Sequence, residues 1–245
     1  MSAKNAKRKT VLAAAGALFL AANIHAVRSY VPYPGRPKRG RRLVVCVGDS
    51  ITFGAGVIHT RRRDAWPFLL GSFLGDAFQV LNFGFSGATA QRDGDLPYRK
   101  LGFWRDIQKL RAEVCLFMLG TNDSKPYNWN AGRYERDMRD FIEEYRQHHQ
   151  DAQLVLMVPP KAFPGKDGVV GFDIRDGVIC GEIAPLLRRL AEEYALPIVD
   201  LYTFTAEHPE FFSDGVHPNR LGNRMLAEHI FHQLKHENFF GGGSK

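Results

Sequence analysis

The chain has 245 residues, of which 44% are hydrophobic and 24% charged, a length and balance that exclude a disordered or fibrous chain and suit one domain with a well-buried core. The formal net charge of +7 is concentrated at one end: residues 1–42 hold ten of the 33 Lys/Arg and no acidic residue, leaving 23 basic against 26 acidic residues in the remainder. The body of the chain is therefore mildly acidic, which argues against a nucleic-acid-binding surface.

The first element is a leader. Lys4, Lys7, Arg8 and Lys9 precede an apolar run at 11–22, the length of a signal-peptide core and shorter than the roughly 20 residues of a membrane span. Ala22 and Ala26 offer small residues for cleavage. A cleaved secretory signal is the favoured reading, giving a secreted protein. An uncleaved membrane anchor through residues 11–22 and an organellar transit peptide are the alternatives. A Pro/Gly-rich basic linker, 31–40, follows, and Gly241–Lys245 reads as a flexible tail.

From Leu43 onward, short apolar runs alternate with helical patterns. The strand candidates are Leu43–Val47, Phe78–Asn82, Val114–Leu119, Leu154–Val158 and Ile198–Leu201. Apart from Gln79, Asn82 and Asp200 they are apolar throughout, as expected of strands covered on both faces. Helices are expected near 65–75, 98–111, 131–149, 180–194 and 220–235, with Asp64 as N-cap of the first. This alternation predicts a parallel sheet in a flavodoxin-like three-layer α/β/α sandwich spanning 43–240, with ligands at the carboxyl ends of the strands.

Four short stretches carry chemistry: Gly48-Asp49-Ser50, Asn82–Gly87, Gly120–Asp123, and Asp214–Pro218. The first three follow strand candidates, so one edge of the sheet gathers Ser50, Gly87 and Asn122. Together the four supply a nucleophilic hydroxyl, donors for an oxyanion, and a histidine with a carboxylate three residues before it. The chain has neither Gly-Lys-Ser/Thr, for a phosphate-binding loop, nor the Gly-x-Ser-x-Gly elbow of α/β-hydrolases. His229, His232 and His236 stand near helical spacing and read as a helix face rather than metal ligands. The cysteines, Cys46, Cys115 and Cys180, have no metal-ligand spacing and suggest no disulfide framework.

These four blocks, in this order, resemble the GDSL-type, or SGNH, hydrolase superfamily over Leu43 to about residue 235. The resemblance implies Ser50 as nucleophile, His217 as general base and Asp214 as its orienting carboxylate. It implies an oxyanion hole of Ser50 N–H, Gly87 N–H and the Asn122 amide, with Gly84 competing for the place of Gly87. Ala88 stands where the family often has Asp. No metal or organic cofactor is implied. Residues 118–126 with Trp129 are similar to sugar O-acetylesterase members, so the expected substrate is a short-chain ester, an acetyl group on a carbohydrate. Lipase, thioesterase, acyltransferase and idle binding-protein readings stay open. Asp49, Asp123 and Trp129 are the candidate substrate-binding residues, although Asp123 is expected to pin its loop through backbone hydrogen bonds rather than take part in the chemistry. Arg92, Asp93, Asp95, Lys125 and Tyr127 are expected at the rim of the cleft, and the loop 159–175 is a candidate lid.

Overall fold

The structure, a computed structural model, describes residues 30–32, 34–237 and 239. The expected targeting segment, with its apolar run at 11–22, lies outside the described residues, as does the tail. Among the described residues no helix is long and apolar enough to cross a membrane.

Five parallel strands, β1 (Arg42–Gly48), β2 (Phe78–Gly84), β3 (Val114–Met118), β4 (Gln153–Val158) and β5 (Ile198–Asp200), form one sheet in the order β2-β1-β3-β4-β5. The central strands β1, β3 and β4 are apolar along their lengths beyond Arg42 and Gln153 because both faces are covered, whereas the edge strands carry Gln79 and Asn82 in β2 and Asp200 in β5. On one face Val45, Cys115, Phe117 and Leu156 pack beneath α3 (Gly102–Ile107), α4 (Ala131–His148) and α5 (Ala184–Glu193). On the other, Val44, Cys46, Leu116 and Met157 meet α2 (Trp66–Leu74) and α6 (Arg220–His236). The three-layer sandwich expected from the sequence is the observed architecture. Cys46 and Cys115 are buried within it as small strand residues.

The chain leaves β1 for β2 on one side and then crosses to β3 on the other. The connections diverge between β1 and β3, which opens a crevice at their carboxyl ends. A four-residue helix, α1 (Ser50–Phe53), starts immediately beyond β1 and lies across the sheet edge. Gly84 at the end of β2 permits this, since a Cβ there would collide with the Phe53 backbone nitrogen.

Two local expectations are corrected. Asp64 does not cap α2: it ends a preceding helical turn, where its carboxylate pairs with Arg63 and Arg220. Ala65 is the cap residue, and the Trp66 N–H donates to Asn223 Oδ1 of α6 at 2.9 Å. The helix expected over 98–111 is broken, because Leu101 is extended between a 3₁₀ turn at Tyr98–Lys100 and α3. The basic linker is partly docked. Gln79 on the edge strand β2 accepts from Lys38 N–H at 2.6 Å and donates to Arg36 O at 2.9 Å.

Candidate active site

Ser50 is the first residue of α1 and is 7% exposed. The preceding Asp49 caps the helix, its Oδ1 accepting the Ile51 N–H at 2.9 Å. Asn82 braces the same turn from β2, donating to Thr52 O at 2.8 Å and accepting from Gly84 N–H at 2.9 Å. Strand end, cap and brace together fix the direction of the Ser50 hydroxyl.

His217 reaches that hydroxyl from the opposite end of the sequence. Its Nε2 lies 2.9 Å from Ser50 Oγ and its Nδ1 2.8 Å from Asp214 Oδ2. Asp214 Oδ1 accepts the backbone N–H groups of Val216 at 3.0 Å and His217 at 2.7 Å. Burial alone would raise the Asp214 carboxyl, but hydrogen bonds from the His217 ring and backbone hold it down at about 2. An ionised carboxylate accepts a hydrogen bond from Nδ1–H and so keeps the proton on that nitrogen, which leaves the Nε2 lone pair facing the serine hydroxyl.

The turn carrying this pair is tightly made. Gly215 has φ +82°, and a Cβ there would strike Phe163 O. The Phe163 N–H donates to Gly215 O at 2.8 Å, which ties the loop 159–175 to the histidine turn. Asn223 holds the far side, donating to Pro218 O at 2.6 Å while it accepts from Trp66 N–H. Neither Asn82 nor Asn223 was assigned a role from the sequence. An asparagine inside a strand or helix gives no sign of the backbone it will meet in another element.

The donors sit across from His217. Among the described residues, neither the Ser50 N–H nor the Gly87 N–H donates to any acceptor. Asn122 Nδ2 donates to Ala88 O at 3.2 Å, which leaves its second N–H available. Gly87 and Asn122 line a cavity of about 260 Å³ with Ser50, His217, Lys125 and Phe172. Gly84, the competing glycine, is instead packed under α1. Phe172, at the end of the candidate lid, sets its ring edge-on to His217 at 4.9 Å.

The substrate-contact expectations need correcting. Asp49 and Asp123 are both 0% exposed, so neither carboxylate reaches the cavity. Asp123 accepts the backbone N–H groups of Ala90 and Gln91, each at 2.9 Å, and so fastens the Gly87 loop to the Asn122 loop. Burial pushes the Asp49 carboxyl up to about 6 and the Asp123 carboxyl up to about 7 against the lowering pull of these hydrogen bonds. Trp129 turns away, its indole N–H donating to Glu182 at 3.0 Å. Arg92 pairs with Asp137 and Asp140 of α4, and Asp93 with Arg133, and neither side chain lines the cavity. Lys125 does line the cavity. Elsewhere His229 stacks on Phe204 at 4.0 Å, and among the described residues no three His, Cys, Asp or Glu side chains gather as a metal site.

A family model described as the GDSL-like Lipase/Acylhydrolase family matches residues 46–225. The chain belongs to that family. Membership in the GDSL-like lipase/acylhydrolase family places it among carboxylic ester hydrolases. An acetylxylan esterase of Xylanibacter ruminicola is 33% identical over 218 residues, covering 81% of this chain and 44% of that protein, so the chain spans less than half the length of this relative. An isoamyl acetate-hydrolyzing esterase 1 homolog of Rattus norvegicus is 26% identical, over 77% of this chain and 79% of that one. Among solved structures, a carbohydrate acetylesterase from Sinorhizobium meliloti superposes with a TM-score of 0.64 at 20% identity, covering 80% of this chain and 100% of that one. At this identity the likeness speaks for the GDSL-like fold.

Proposed function

We propose that the chain is a serine esterase that removes acetyl groups from a carbohydrate through an acyl-enzyme on Ser50. The observation that carries this reading is the continuous relay Ser50 Oγ–His217 Nε2 at 2.9 Å and His217 Nδ1–Asp214 Oδ2 at 2.8 Å. His217 takes the hydroxyl proton as Ser50 Oγ bonds to the ester carbonyl carbon. The developing oxyanion accepts from Ser50 N–H, Gly87 N–H and Asn122 Nδ2, each such donor being worth about 3 kcal/mol in the transition state. His217 then gives its proton to the departing alcohol oxygen. In the second half it deprotonates water, which attacks the acetyl-serine carbonyl, and returns that proton to Ser50 Oγ as the Oγ–acyl bond breaks and acetate leaves. Asp214 holds the imidazole in the required tautomer and stabilises its charged form.

A short acyl group suits the small cavity, walled by Ala55, Ile174, Val216 and Phe172. The printed names of the acetylxylan and carbohydrate acetylesterase relatives support acetyl as acyl group and sugar as alcohol. The acid-free basic leader supports export, with tethering through residues 11–22 as the alternative. Hydrolysis of a p-nitrophenyl ester series from acetate to palmitate tests the acyl assignment. Turnover should be greatest for acetate and fall with chain length, and a long-chain preference would replace it with a lipase.

A further inference from the structure

The alcohol side of the cavity carries a second recognition element. Lys125 lies three residues past Asn122, on a backbone locked by hydrogen bonds from Asn128 N–H and Trp129 N–H, each at 3.0 Å, to Lys125 O. Its side chain is only 13% exposed, yet among the described residues its ammonium makes no hydrogen bond. The nearest carboxylate oxygen, Asp95 Oδ2, stands 3.9 Å away, beyond hydrogen-bonding reach. Asp95 cannot readily close that gap. Its Oδ1 accepts from Asn128 Nδ2 at 2.8 Å and its N–H donates to Asn128 Oδ1 at 2.9 Å. Lys125, which lines the cavity, thus holds a donor with three N–H groups 3.9 Å from Asp95 Oδ2, an oxygen that accepts no hydrogen bond among the described residues. Beside them Tyr127 is 61% exposed, with the Lys125 ammonium 5.9 Å from its ring centre.

We infer that Lys125, Asp95 and Tyr127 form the subsite for the leaving alcohol, and that this alcohol is a neutral sugar bearing two free neighbouring hydroxyls. The inference rests on the esterase reading and adds how the alcohol is chosen. Neighbouring ring hydroxyls can bridge the pair: one accepts from Lys125 Nζ, the other donates to Asp95 Oδ2, and both bonds are charge-assisted. The tyrosine ring offers an apolar face for the C–H side of the sugar. An isolated lysine would favour an acidic sugar. Asp95 offsets that charge and would repel a carboxylate, which turns the preference toward an uncharged polyol.

The test compares hydrolysis of a mono-acetylated methyl xyloside with that of p-nitrophenyl acetate, in the wild type and in Lys125→Met, Asp95→Asn and Tyr127→Ala. In the wild type, methylating the two free hydroxyls of the xyloside should cost about tenfold or more in kcat/KM, the loss expected when charged partners are left unpaired. In each variant the ratio of xyloside to p-nitrophenyl turnover should fall by about tenfold, chiefly through KM. A merely structural role would lower both activities together and leave the ratio unchanged, which would overturn the assignment. So would a preference for the matching acetylated uronate over the neutral xyloside. Absence of p-nitrophenyl acetate hydrolysis would instead count against the esterase reading. In that event saturation-transfer NMR of the acetylated xyloside on Ser50→Ala still decides the subsite: transfer to the sugar ring protons, lost on adding Tyr127→Ala, is expected, and no transfer would refute it.

Discussion

His217 is useful only in one tautomer, and Asp214 sets it. With its carboxyl held near 2, Asp214 is charged at neutral pH, and its Oδ2 accepts the hydrogen bond from His217 Nδ1–H. Asp214→Asn should therefore keep the fold and its melting temperature near the wild-type value while kcat drops by about 10⁴, as expected for a wrongly poised imidazole. A drop of less than tenfold would remove Asp214 from the relay. Asp49 and Asp123 behave in the opposite sense. Their carboxyls are raised to about 6 and about 7 by burial, above the value near 4 of an unfolded chain, so the folded state binds their protons more tightly. The stability they contribute is full below about pH 4 and is lost as pH rises through about 6 to 7. Asp49→Asn keeps an oxygen to accept from Ile51 N–H but cannot ionise. Its melting temperature should decline less than that of the wild type between about pH 5 and pH 8, by roughly 2–4 °C per kcal/mol recovered; superimposable profiles would refute the linkage. Sequence reasoning named both aspartates as candidate substrate contacts but favoured for Asp123 a role in pinning its loop through backbone hydrogen bonds, and it is that role the structure shows. Their burial arises from partners such as Ala90 and Gln91, 33 and 32 residues away from Asp123, and adjacency in sequence cannot reveal that.

Among the elements, the loop after β4 shapes the site as much as the strands do. Its ends are fixed by Ala162 N–H to Asp176 Oδ1 at 2.9 Å and Arg175 Nε–H to Ser124 O at 2.6 Å. Between them it supplies Phe163 to the histidine turn and Phe172 to the cavity wall. The turn depends on Gly215, where a side chain would be strained in φ and would collide with Phe163 O. Gly215→Ala should lower stability by about 1–3 kcal/mol and reduce kcat more than it raises KM, readable by thermal melts beside steady-state kinetics. Wild-type kcat in a folded variant would mean that the turn does not position His217. The five strands were legible from sequence because strands covered on both faces show as short, mainly apolar runs, broken by polar residues only in the edge strands β2 and β5. The helix ends were less so: Asp64 has the chemistry of an N-cap but is drawn to Arg63 and Arg220, and Leu101 breaks a helix that residue pattern alone would continue. Lys125 and Tyr127 could be placed near the rim by sequence, but the mismatch between Lys125 and Asp95 is a matter of distance and needs coordinates.

At the scale of the whole molecule, the strand order β2-β1-β3-β4-β5 brings the three loops after β1, β2 and β3 to one edge, and the C-terminal turn closes over them with His217. The nucleophile and its partner, 167 residues apart, meet because α6 packs against α2 and Asn223 anchors the histidine turn from within it. Fold class and the four blocks could be read from the sequence since each is a local signature placed beside a strand. The bracing asparagines and the burial of Asp49 could not, since they answer to neighbours that only the folded chain supplies. The central claim is a covalent intermediate on Ser50. Intact-protein mass spectrometry of the enzyme, acid-quenched during turnover of p-nitrophenyl acetate, tests it most directly. One acetyl group should appear on the wild type, map to the peptide containing Ser50, and be absent from Ser50→Ala, which should lose turnover. Undiminished turnover by Ser50→Ala, or an acetyl group on another residue, would contradict it.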